Sequence, residues 1–214
     1  MRVHLHNDED SGLYAEMLLK IGDGCLDVDA EGYISLSREL CNLVESDVDV
    51  IANVFPELQQ NLCSDQWLCA RALLAPRNEI VNRINADISS EVQGEMKEYL
   101  SMDTIMLMRN LDAPRLCNGT KLRITKLGQN ILGATILTGV GKGNSVIIPI
   151  IPTDLPLQFK RVQFPVKFSF AVTINKAQGQ TLQVAEVHLE NPSFSHGQLY
   201  VACSRVSISP EGKT

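Results

Sequence analysis

Two short segments of this 214-residue sequence concentrate side chains that bind anions. In FSFAVTINKAQGQTL (168–182), the polar residues Thr173, Asn175, Lys176, Gln178 and Thr181 surround Gly179, and the pattern predicts a strand turning into a helix. Backbone N–H groups at such a turn, with a lysine and amide side chains beside them, suit phosphate oxygens. In FSHGQLYVACSRVS (194–207), Gln198, Tyr200, Ser204 and Arg205 share a predicted helix with Leu199, Val201 and Ala202. Residue types alone leave a second reading open for each segment, an ordinary helix start and a helix ending in a solvated arginine.

Holding a nucleoside triphosphate takes a glycine-rich phosphate loop whose backbone N–H groups and lysine wrap the phosphates. The sequence has none. Gly139-Val140-Gly141-Lys142-Gly143 carries Ile136 where the leading glycine belongs and lacks Ser or Thr after the lysine, so it reads as a hairpin loop. Gly212-Lys213-Thr214 carries Ser207 at the leading position and reads as a chance match. The cysteines at 25, 41, 63, 69, 117 and 203 form no CxxC pair, and the histidines at 4, 6, 188 and 196 stand at no zinc-ligand spacing to them. Neither a metal site nor a disulfide framework is expected, and His4 and His6 read as solvated beside an acidic run.

The elements that must position these segments follow from periodicity. A helix is expected around Leu13, Met17, Leu18 and Ile21, stopped by Gly22-Asp23-Gly24, and another over Asp47 to Val54 before Pro56. The apolar run LCARALLA (68–75) suits a buried parallel strand, and Ile80, Val81, Ile84 and Ile88 after it have helical spacing, which makes a strand-turn-helix unit. After Thr104 the runs 105–108, 121–126, 131–137 and 145–150 are separated by hairpin punctuation. A strand over 164–170, a turn into helix over 173–181, a strand over 185–190 and a helix over 196–205 then return to α/β. The fold class is therefore an α/β parallel-sheet domain with a small β-rich insert, divided as 1–104, 105–160 and 161–214.

The formal charge of −6 argues against a nucleic-acid binder only on average. Residues 1–104 hold seven Lys/Arg against 20 Asp/Glu, net −13, whereas residues 105–214 hold 12 against five, net +7. Both motif segments and the insert lie in the basic half. No apolar run reaches the roughly 18–20 residues of a membrane span, and the N-terminus resembles neither a signal nor a transit peptide. An intracellular location is expected.

The two segments closely resemble helicase motifs V and VI of the Pif-one family of superfamily 1B DNA helicases, which includes the helicase parts of Helitron-type transposons. The resemblance extends to Met1-Arg2-Val3-His4, to Arg71–Val81, and to MLMRNLD (106–112), CNGTKLRITKLG (117–128) and FKRVQFPVKFSFA (159–171). It implies the second of two RecA-like motor domains, carrying a small β-barrel insert. Set against the family pattern, the phosphate loop, the Mg²⁺-holding acidic motif and the first RecA-like domain are expected to be missing from this sequence, and a stretch usual in the family is expected to be deleted between Thr104 and Ile105.

By this resemblance Arg205 is the arginine finger toward the ATP γ-phosphate, a role suited to a permanently charged guanidinium, and Arg2 matches a second γ-phosphate-sensing arginine. Gln178 and Gly179 match contacts to phosphate or ribose, and Tyr200 and Ser204 shape that edge or simply pack. Asn78, Thr173, Asn175 and Lys176 match single-stranded DNA contacts, while Lys121, Arg123, Lys126, Lys160, Arg161 and Lys167 form a phosphate-tracking surface or are solvated charges. The family implies ATP and Mg²⁺ as cofactors, held by the missing domain, and single-stranded DNA and that domain as partners. It implies 5′-to-3′ unwinding in DNA repair, recombination or telomere maintenance and a nuclear location, with a mitochondrial one left open. The chain alone is expected to be inactive on ATP. A stand-alone nucleic-acid or protein binding module and a non-functional transposon-derived fragment are the alternatives.

Overall fold

The computed structural model describes residues 9–26, 29–30, 44, 46–91, 104–154, 160–189 and 196–205. Arg2 lies outside them. The first helix, α1 (Glu9–Asp23), ends where Gly24 takes a positive φ of 68°; there the Gly24 N–H donates to Ile21 and the Cys25 N–H to Lys20. This paired closure needs a residue without a Cβ at the left-handed position. Helix α2 (Asp47–Val54) starts at Ser46, whose hydroxyl accepts from the Val48 N–H, and the short helices α3 (Leu58–Asn61) and α4 (Asp65–Cys69) follow.

The run LCARALLA divides rather than forming one strand. Leu68 and Cys69 close α4, and only β1 (Arg71–Ala75) is extended. The Ser64 hydroxyl accepts from the Trp67 N–H and Asp65 sits in the first turn, so a favourable helix start captures the first residues of the apolar run.

Strand β1 is the centre of a three-stranded parallel sheet, flanked by β10 (Val184–Val187) and β9 (Ala171–Thr173). Its alternating side chains build two cores. Leu73 and Ala75 face Ile51, Val54 and Phe55 together with Ile80, Val81, Ile84 and Ile88 of α5 (Asn78–Glu91). Ala72 and Leu74 face Val172, Ile174, Leu182 and Ala202 on the opposite side. Fully burying a leucine contributes about 1.5–3 kcal/mol, so Leu73 and Leu74, both at 0% exposure, each anchor one layer.

The second sheet is antiparallel, in the order β5-β4-β3-β2-β8. Its strands are β2 (Thr104–Leu107), β3 (Lys121–Leu127), β4 (Ile131–Ile136), β5 (Ser145–Pro149) and β8 (Val166–Phe168). Strands β5 and β8 are its two edges and do not pair with each other among the described residues. A separate ribbon joins β6 (Ile151–Asp154) to β7 (Lys160–Gln163). The expected single strand over 164–170 is thus split: Val166–Phe168 pairs with β2 in the antiparallel sheet, and the parallel sheet resumes only at Ala171.

The expected helix over 173–181 is a single 3-10 turn, Ile174–Ala177, followed by Gly179 at a φ of +84°. Buried Ile174, Ala177 and Leu182 tie this short stretch to the core at both ends, leaving too little chain for an α-helix. The last element, α6 (His196–Cys203), packs against α1 through Leu199 and Tyr200 on one side and Leu18 and Ile21 on the other. No helix among the described residues is long and apolar enough to cross a membrane.

Candidate functional site

Parallel neighbours release their following loops at the same edge of a sheet, and ligand sites of α/β sheets form there. Ala75 of β1 pairs with Thr173 of β9. The chain leaving β1 reaches Asn78, the exposed first residue of α5, while the chain leaving β9 passes through exposed Asn175 and half-buried Lys176. Asn78, Thr173, Asn175 and Lys176, which are far apart in sequence, therefore come together at one edge.

A buried amide fixes that arrangement. The Asn85 side chain, 6% exposed, donates to the Ala171 carbonyl and accepts from the Ala171 N–H, both at 2.9 Å. Among the described residues β9 is the edge of its sheet, and these two bonds satisfy backbone groups that no described strand covers. They also set the register of Thr173 against α5. Sequence reasoning missed Asn85, although the signal was present: it stands four residues after Val81, on the apolar stripe of α5, where a polar residue needs a buried partner.

Lys176 adds charge to the edge. Its Nζ lies 3.2 Å from the Met108 sulfur. Burial lowers its pKa, and the positive charge of Lys167 lowers it further, so two amines meet closely enough to repel. The Lys167 Nζ donates to the Asn82 Oδ1 at 3.1 Å, one turn of α5 beyond Asn78. Amides and two crowded cations on one face attract an anion that would relieve the repulsion.

Arg205 is held back within the chain. Its Nε donates to the Val201 carbonyl at 3.0 Å, its Nη1 to those of Gln180 and Ala177 at 3.3 and 3.5 Å, and its Nη2 to the Ser204 hydroxyl at 2.7 Å. All three nitrogens are engaged, so the guanidinium clasps the end of α6 to the turn carrying exposed Gln178 and Gly179. Ser204 orients this clasp and donates its own proton to the Val201 carbonyl. Tyr200 is a packing residue: its ring lies against Gly22, where an added Cβ would come within 3.2 Å, in the cluster with Leu18 and Leu199.

Two expected surface cations are not on the surface. Lys121 is 1% exposed, and its Nζ approaches the Cys69 carbonyl at 3.4 Å. Burial pushes its pKa down, with the Cys69 thiol opposing. Arg123 pairs with Asp65 and donates from Nη2 to the Leu62 carbonyl at 3.1 Å. Both residues begin β3 at the point where the antiparallel sheet meets α3 and α4, so their charges join those parts instead of facing a polyanion. Lys126, beyond a register shift in β3, is exposed; the side chains of Lys160 and Arg161 lie outside the described residues.

Residues 103–127, spanning β2 and β3, match the family model described as DNA helicase Pif1, 2B domain. The ATP-dependent DNA helicase PIF1 of Xenopus laevis is 32% identical over 133 residues, 59% of this chain and 20% of the relative. The ATP-dependent DNA helicase PIF6 of Trypanosoma brucei brucei is 27% identical over 131 residues, 58% of this chain and 16% of the relative. The chain is Pif1-like. The fold agrees: a crystal structure of Bacteroides Pif1 helicase with ADP-AlF3 and ssDNA superposes with a TM-score of 0.53 at 19% identity, over 95% of this chain and 48% of that one. A structure of Pif1 helicases unwinding forked double-stranded DNA gives 0.56 at 20% identity, over 91% and 44%. The Pif1-like chain spans a fifth or less of the length of these two curated relatives.

A phosphate loop is lacking, and no group of three or more His, Cys, Asp or Glu able to hold a metal ion occurs among the described residues.

Proposed function

We propose that this chain is the second motor portion of an ATP-dependent 5′-to-3′ DNA helicase, its parallel sheet being the RecA-like core and its antiparallel sheet the small β insert. The observation that carries the reading is the Ala75–Thr173 pairing, which sets Asn78 beside Thr173, Asn175 and Lys176 at the carboxyl edge of the sheet. Single-stranded DNA lies along this edge, with phosphates accepting from the asparagine amides and meeting the charges of Lys176 and Lys167. A separate first RecA-like domain holds the nucleotide, and Arg205, with Arg2, supplies positive charge to it. Presenting Arg205 requires its guanidinium to leave the carbonyls of Ala177 and Gln180, which frees the turn after Lys176. The helicase acts in DNA repair, recombination or telomere maintenance.

The test is fluorescence anisotropy with a labelled oligothymidylate at low salt. Lys176→Ala should weaken binding about tenfold and reduce the salt slope by about one unit, the value of one phosphate contact. Absence of wild-type binding at low salt refutes the DNA reading. ATP hydrolysis by the isolated chain that Arg205→Ala abolishes refutes the division of the site between two domains.

A further inference from the structure

Next to this edge is a cleft that no residue of the two anion-binding segments, 168–182 and 194–207, lines. Its lining comes from Met108 and Arg109, where the chain leaves β2, from Phe164, Pro165, Val166 and Lys167 around the start of β8, and from Ile151 of β6. The Met108 N–H donates to the Pro165 carbonyl at 2.8 Å, which continues the β2–β8 ladder and fixes these two strands side by side beneath the cleft. The volume of about 190 Å³ lies below the roughly 300 Å³ at which pockets for drug-sized ligands begin. It accepts one planar ring and no complete nucleotide.

The lining separates by chemistry. Met108, Ile151, half-buried Phe164 and Pro165 supply its apolar part, and the positive charge sits on exposed Arg109 and Lys167. Lys176 continues that charge, since its Nζ touches the Met108 sulfur from outside the cleft. A small cleft lined by both apolar side chains and cations matches the repeat of single-stranded nucleic acid, a flat base joined to phosphates. An apolar side chain of a protein would leave the cations without a counter-charge.

We propose that the cleft seats one base of single-stranded DNA against Phe164, with the adjoining phosphates on Lys167 and Arg109. This rests on the DNA reading above and adds a base contact to the phosphate contacts at the sheet edge. Stacking of this kind tolerates any base, because every base has a π face.

The experiment uses the full chain and oligothymidylate carrying single 5-iodouracil substitutions. Irradiation should yield an adduct on the peptide containing Phe164. In anisotropy, Phe164→Leu, which keeps an apolar side chain in the wall, should bind about tenfold more weakly, whereas Phe164→Trp should retain affinity and show fluorescence quenching on binding. Unchanged affinity of Phe164→Leu with adducts only elsewhere overturns the base site and leaves the DNA reading standing, as does an apolar peptide occupying the cleft while DNA binding persists. A wild-type chain that binds no oligonucleotide overturns both.

Discussion

Replacing Asn85 by alanine removes the one side chain among the described residues that bonds the Ala171 backbone. The two bonds are each 2.9 Å, and Ala171 is 1% exposed, so water does not replace them without opening the core. Two hydrogen bonds contribute about 1 kcal/mol each, and stranding a buried N–H and C=O adds about 1–3 kcal/mol more. Small shifts of β9 offset part of this, which leaves an expected loss of about 3 kcal/mol. With a urea slope of about 2 kcal/mol per molar, the midpoint falls by about 1.5 M, read by circular dichroism. Asn82→Ala, at an exposed position on the same helix, should cost no more than about 0.5 kcal/mol. At urea concentrations where the Asn85 variant remains folded, it should also bind oligothymidylate more weakly, since Thr173 and Lys176 follow directly on the loosened strand. A loss under about 0.5 kcal/mol for Asn85→Ala would refute the reasoning that this amide fixes the edge.

The buried Lys121 makes an opposite prediction. Lys121→Met fills the same space without a charge and should be neutral or stabilising by up to about 2 kcal/mol at pH 7, with oligothymidylate binding unchanged. The folded chain holds the Lys121 pKa below its unfolded value, so between the two the unfolded state binds more protons and stability rises with pH. Cys69, whose pKa burial raises, acts in the opposite sense over the alkaline range, so the difference between wild type and Lys121→Met in urea midpoints measured from pH 7 to 10 gives the Lys121 contribution together with its coupling to Cys69. For Arg123 and Asp65, a double-mutant cycle should give about 1 kcal/mol of coupling, modest because Asp65 is 49% exposed, and little change in DNA affinity. A large loss of binding from Arg123→Ala at unchanged stability would return that residue to the DNA surface.

Much of the architecture was legible in the chain itself. The helix over Asp47–Val54 lies where it was expected before Pro56, the stripe of Ile80, Val81, Ile84 and Ile88 turns inward as its spacing requires, and the hairpin strands begin and end within a residue or two of the apolar runs. Local rules failed where a tertiary contact outweighed them. Leu68 and Cys69 joined a helix because Ser64 capped it, and 174–177 stopped at a single turn because buried residues at both ends held it short.

Composition and spacing determined which residue types can meet an anion, and where strands and helices must alternate to carry them. Only the tertiary structure decided which charges reach solvent. Lys121 and Arg123 alternate along a strand like any exposed cations, yet the packing of α3 and α4 over the start of β3 buries one and pairs the other. Lys176 and Lys167 are brought together by β8 and β9, which belong to different sheets, so no local pattern reveals their repulsion. Charge is a property of the side chain, but its field is set by what is folded around it, and that is the sum of contacts distant in sequence.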